Sequence, residues 1–143
     1  MPSARQSIEI DATPEQVMAV LTDFEAYPAF LPEIEAVDVI SASGDAWEVC
    51  FHAHVIRPLQ YTLRLVCLDR LRLTWSHVSG LFSSNDGSWE LEPLQVEDGA
   101  RTRATYTIDL VLGVFVPQAL VNSLVGESLP AMLARFKERV ERE

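Results

Sequence analysis

Apolar and polar residues alternate with period two through the middle of the chain, and the pattern changes to a helical period near each end. The clearest alternation sets Trp47, Val49, Phe51, Ala53 and Val55 against Glu48, Cys50, His52 and His54, which predicts a strand with one apolar face. Arg57-Pro58 interrupts it, and Leu59, Tyr61, Leu63, Leu65 and Cys67 form the next inward set. Asp69-Arg70 turns the chain, and Leu71, Leu73, Trp75 and His77 carry the pattern onward. Gly87, Trp89 and Leu91 predict a sixth strand, and Thr102, Ala104, Tyr106, Ile108 and Leu110 a seventh. Ile8 and Ile10 mark a first strand, and Ile34 to Ser41 is a β-rich run. Ser43-Gly44-Asp45, Asn85-Asp86-Gly87 and Glu97-Asp98-Gly99 carry turn chemistry, and 79–84 is expected to be a loop.

Helical signals flank this set. Thr13-Pro14-Glu15-Gln16 fits a capping box, with Thr13 as the cap, Pro14 in the first turn and Gln16 at the third position. Val17, Val20, Leu21 and Phe24 then recur on one helical face. Asp23 to Pro32 contains Pro28 and Pro32, so a turn and one short helix are expected there. From Val116 to Glu143 the pattern predicts one long helix, with Pro117 at its start. Val121, Val125, Leu129, Met132, Phe136 and Val140 make its apolar face, and Leu120, Leu124 and Leu133 widen it. Pro130 predicts a bend. The order is strand, two helices, six strands, long helix. Short turns between successive strands imply an antiparallel meander of about seven strands in an α+β fold. A broad apolar helix laid across a curved sheet leaves a gap, and that gap is the expected functional site.

Composition narrows the function classes. The 143 residues are 48% hydrophobic, enough for one domain spanning 1–143. A net charge of −10 and ten arginines with Lys137 in no dense run argue against a nucleic-acid or anionic-membrane partner. There is no membrane-length apolar run and no signal-like N-terminal segment, so a cytosolic location is expected. Cys50 and Cys67 fall on opposite strand faces, which disfavours a disulfide.

Two stretches carry a family resemblance: Asp23 to Pro32, especially Tyr27-Pro28, Phe30 and Pro32, and Ser79-Gly80-Leu81-Phe82 followed by Asn85, Gly87, Trp89 and Leu91. With the element order, they make the chain resemble START-like, helix-grip (START/Bet v 1-like) domains. More narrowly it resembles the polyketide cyclase/dehydrase group, and within that the coenzyme Q-binding proteins. The resemblance implies a hydrophobic cavity between the sheet and the C-terminal helix for a lipid, isoprenoid quinone or polycyclic compound. Some relatives are described as ribosome-association toxins. Here the loop that often carries a basic residue reads Leu81-Phe82-Ser83-Ser84, and the net charge is negative, so that role does not carry over.

The expected ligand-binding set is Phe51, Tyr61, Leu63, Leu73, Trp75, His77, Trp89, Tyr106 and Ile108 from the strands, with Val121, Val125 and Leu129 from the helix. Aromatic faces can stack on a flat ligand or simply fill a core. Polar orientation is assigned to Tyr61, His77 and Tyr106, and His77 is also the candidate general acid or base. Ser79-Gly80 and Ser83-Ser84-Asn85 place small polar groups beside the expected mouth. His52 and His54 share a strand face, but no third ligand joins them, so no metal is expected. Glu127 lies among apolar helix positions; its expected place is the solvated side. No nucleophile, phosphate-loop or dinucleotide motif is present, and no cofactor is implied. Three readings stand at this level: a non-enzymatic carrier or chaperone, an aromatase/cyclase on a polyketide chain, and a module that docks on a membrane or protein through Leu81 and Phe82.

Overall fold

The computed structural model describes residues 3–55, 57–80, 82–96, 99–112 and 128–142. Its strands are β1 (Ser3–Ile10), β2 (Ile34–Ser43), β3 (Ala46–Val55), β4 (Arg57–Leu68), β5 (Arg72–Gly80), β6 (Phe82–Leu94) and β7 (Arg101–Leu112). They form one curved sheet in the order β1-β7-β6-β5-β4-β3-β2, with every pair antiparallel. The meander therefore runs from β2 to β7, and β1 closes onto β7.

Between β1 and β2 lie α1 (Pro14–Leu21), a single 3-10 turn (Phe24–Ala26) and α2 (Tyr27–Phe30). The capping box forms as its residues require: Thr13 accepts from the Gln16 backbone, and Gln16 reciprocates at the Thr13 N–H. Helix α1 turns Val17, Val20 and Leu21 into the core, and Phe24 follows them. The last element is α3 (Ser128–Arg142), which buries Leu129, Leu133, Phe136 and Val140 on one face. The expected helical stretch 116–127, with Val121, Val125 and Glu127, lies outside the described residues, as does any bend leading into Pro130.

The alternation sorts the sheet faces as the pattern requires. Val49, Phe51, Ala53, Leu59, Leu63, Leu65, Leu73, Trp75, Trp89, Leu91 and Ala104 are buried. On the outer face, Arg101 pairs with Asp11 at 3.0 Å, and Arg103 reaches Glu92 at 3.5 Å. Val78 is an exposed bulge in β5: Leu63 opposes His77 but Thr62 opposes Ser79, so the alternation of β5 inverts beyond it and Gly80 comes to stand opposite the inward Tyr61.

One local expectation is corrected. Residues 79, 80, 83 and 84 are strand, not loop, and Asn85-Asp86-Gly87 lies inside β6 rather than at a turn. Each residue does a sheet-interior job that its type usually performs in a turn. Gly87 stands opposite Trp75 across the β5–β6 ladder. A Cβ there would sit 2.4 Å from the Thr107 carbonyl oxygen and 2.4 Å from the Trp75 ring, so only a glycine admits the indole. Asn85 is 4% exposed, and its side chain is bonded within the fold.

Candidate functional site

Cross-strand register builds the site. Residues directly opposite in neighbouring strands share a face, so a side-chain row crosses the sheet at each level. One row runs Trp47, Leu65, Trp75, Gly87, Ile108 and Ala4. The next pairs Leu73 with Trp89 and Trp89 with Tyr106. A third pairs Phe51 with Tyr61, whose rings stack at 5.4 Å between centroids. The glycine in the first row leaves a gap that the Trp75 indole enters, and Tyr106 tilts against that indole at 5.3 Å. Trp89 then meets Tyr106 edge-on at 5.0 Å.

From the other side come α2 and α3. Phe136 makes edge contacts with Tyr27, Phe30 and Trp89 at 5.3, 5.1 and 5.3 Å. These contacts seat α3 on Trp89 of the sheet and on α2. Between the sheet and these helices lies a cavity of about 120 Å³, open on one side. This is slightly below the roughly 150 Å³ of a cavity that accepts one benzene ring, so a single ring is the most the described space holds, and any longer tail extends beyond it.

Of the expected ligand-binding residues, Phe51, Tyr61, Leu63, Leu73, Trp75, Trp89, Tyr106 and Ile108 line this cavity. Leu129 is buried in the core but away from the wall. His77 shares a row with Leu63, yet it is not part of the wall. Its Nδ1 is sealed from solvent and has no hydrogen-bond partner among the described residues. Val121 and Val125 lie outside the described residues, as does Leu81. Phe82 begins β6. His52 bonds Asp38 at 2.8 Å on the outer face, and among the described residues no three metal-ligating side chains gather.

Tyr27, Leu31, Ile34, Leu65, Asn85, Met132 and Phe136 also line the described wall, although none was in the expected ligand-binding set. Tyr27 and Leu31 sit in the proline-flanked stretch, where no period identifies a face. Asn85 was expected beside the mouth, but in a turn rather than in the strand that carries it. Leu65 and Phe136 belonged to inward sets that were already recognised.

The wall's chemistry is apolar and aromatic, with few polar groups. Tyr27 donates its hydroxyl to the Leu21 carbonyl at 2.5 Å. Burial pushes the Tyr61 phenol up to about 12, with Cys50 adding a smaller push. Burial drives Tyr27 and Tyr106 higher still. All three are neutral donors near neutral pH. The described wall contains no carboxylate, imidazole, amine or thiol. Two larger hollows, of about 250 and 200 Å³, lie on the outer surface around Phe30 and Arg139 and are rimmed by charged side chains.

A curved antiparallel sheet gripping a C-terminal helix, with an aromatic cavity between them, defines a helix-grip domain. The chain belongs to the family described as polyketide cyclase / dehydrase and lipid transport, which matches it over residues 10–137. Among solved structures, a protein from Thermus thermophilus is 25% identical, covering 97% of each chain at a TM-score of 0.78. A START superfamily protein from Mycobacterium smegmatis is 20% identical, covering 98% of this chain and 97% of its own, at 0.83. The Zhui aromatase/cyclase from a Streptomyces strain is 18% identical, covering 99% and 94%, also at 0.83. The last two likenesses are of fold. No curated protein sequence matches the chain.

Proposed function

We propose that this protein is a non-enzymatic carrier or chaperone for a hydrophobic small molecule. A flat ring of an isoprenoid quinone, a lipid or a polycyclic compound would enter the aromatic cavity, leaving the remainder of the molecule outside the described wall. The observation that carries this reading is the composition of that wall. Stacked and edge-on aromatics surround the space, and no described side chain in it titrates near neutral pH. Burial of each CH₂ contributes ~0.8 kcal/mol, so a ring and a few carbons give useful affinity without ionic contacts. The family description, which couples cyclases with lipid transport, supports the ligand class. A coenzyme Q-like quinone is the narrowest ligand within it. A cytosolic location accompanies the proposal, and the free Cys50 and Cys67 suit it. So does a single ligand-binding domain over 1–143.

The competing reading is an aromatase/cyclase-type enzyme, in line with the cyclase half of the family description. Ring closure under acid–base control needs convergent groups that exchange protons near neutral pH. The described wall offers only tyrosines with raised pKa values.

The test is native mass spectrometry of freshly purified protein, followed by solvent extraction and identification of the bound compound. A stoichiometric lipid or quinone is the expected result. A protein that emerges empty and takes up neither added quinone nor fatty acid would overturn the carrier reading. Trp75→Ala and Tyr106→Ala test the site itself: both are expected to weaken binding of a short-chain quinone, and wild-type affinity in both would refute the assignment.

A further inference from the structure

Asn85 is the unusual member of the cavity wall. It is 4% exposed, among aromatic and aliphatic side chains, in the interior of β6. The Trp75 Nε1–H donates to its Oδ1 at 3.2 Å. An indole nitrogen only donates, so the amide atom facing it must be the oxygen, which fixes which way the amide points. Its NH₂ is then turned away from Trp75. No described residue accepts those hydrogens, and the nitrogen is not sealed off, because His77 Nδ1 is the sole described side-chain atom both sealed and unpartnered. A buried amide that lines a cavity and has spare hydrogens is a donor waiting for an acceptor.

We infer that Asn85 is the ligand's polar anchor, and that the bound molecule carries a hydrogen-bond acceptor oxygen, a carbonyl or equivalent, on its ring. This deepens the carrier reading and rests on the cavity being the ligand site. The Trp75–Asn85 pair works as a unit: the indole stacks in the wall and also orients the amide. Gly87 makes the pair possible, since any Cβ there would displace the indole. A ligand lacking the acceptor would leave the Asn85 NH₂ buried without a partner, so the site rejects pure hydrocarbons relative to ketones or quinones.

The experiment uses a matched pair of probes, acetophenone and α-methylstyrene, which differ by C=O against C=CH₂. Affinities of both are measured by calorimetry for wild type, Asn85→Leu and Trp75→Phe. The ketone-to-olefin affinity ratio cancels general hydrophobicity and any shared loss from a loosened fold. It is expected to fall about tenfold in Asn85→Leu, through weaker ketone binding. In Trp75→Phe the amide is no longer pinned, and the ratio is expected to fall severalfold; this variant also decides the matter if Asn85→Leu does not fold. An unchanged ratio in the folded variants, with both probes still bound, would overturn the Asn85 assignment and leave the carrier reading standing. Failure of wild type to bind either probe would overturn the cavity as the ligand site, and this inference with it.

Discussion

At the residue scale, two positions hold conformations or charges that their side chains do not favour alone. The β4–β5 hairpin turns on Asp69 and Arg70, at φ of 56° and 59°. Leu71 donates its N–H to the Leu68 carbonyl at 3.2 Å, so Asp69 and Arg70 are the central pair of a turn with both residues left-handed, whose preferred second residue is glycine. Arg70 carries a Cβ into that region, where its contact with the carbonyl costs energy. Arg70→Gly is expected to raise stability by about 0.5–1 kcal/mol in urea unfolding, with the fold unchanged. A loss of stability would show that the Arg70 side chain contributes more than its backbone strain removes. Glu141 is the other case. Burial pushes its carboxyl up, but the Asp11 N–H at 2.9 Å and the Lys137 ammonium at 2.5 Å outweigh burial and hold it below its ordinary value. A depressed carboxyl contributes stability above its unfolded pKa, and that contribution is lost as pH falls through the folded one. Because about a third of each side chain still meets solvent, Glu141→Gln is expected to lose at most ~0.5–1 kcal/mol near neutrality. The gap from wild type should shrink as pH is lowered through the acid limb. A gap constant with pH would remove the ionic explanation.

At the scale of elements, the strands and α1 were legible because their signals are local. Period-two alternation assigns Trp47 to Val55 a face whatever else the chain does, and Thr13 with Gln16 closes a capping box within four residues. What failed was β6. Asn85-Asp86-Gly87 has turn chemistry, and nothing nearby in sequence shows that Trp75, ten residues earlier, needs both the gap at Gly87 and the oxygen of Asn85. Tertiary contact overrode local preference, as it does where a strand packs closely on a neighbour. Gly87→Ala tests this directly. The Thr107 carbonyl is fixed in the β6–β7 ladder and cannot retreat, so the added methyl must distort the sheet or expel the indole. A loss of about 2–4 kcal/mol is expected, with a red-shifted and broadened tryptophan emission. A variant as stable as wild type, with unchanged emission, would show that Trp75 does not occupy this gap.

At the scale of the molecule, the concave wall was legible where strand alternation reaches it and obscure where it does not. Phe51, Tyr61, Trp75 and Trp89 follow from alternation, whereas Tyr27 enters from a proline-flanked turn whose packing only the fold decides. With Tyr27 included, all three tyrosines of the chain converge on one cavity. This has a consequence for the whole protein at high pH. Each phenol is pushed up first by burial: Tyr61 to about 12, and Tyr27 and Tyr106 further. An unfolded tyrosine ionises near about 10, so above that pH the unfolded chain releases protons that the folded chain keeps. Stability is therefore independent of these groups below about pH 10 and falls as pH rises beyond it, since the folded state binds more protons there. The expected titration shows no phenolate absorbance developing through pH ~10 while the fold persists. At higher pH, phenolate should appear together with loss of near-ultraviolet dichroism, because burial holds each phenol above its ordinary value while the fold persists. Bound ligand should shift that transition upward by mass action, which makes the titration a second readout of the cavity. A tyrosine that ionises near its ordinary value, with dichroism intact, would mean that its phenol faces water rather than the cavity, and the arrangement of the aromatic wall would have to be redrawn around it.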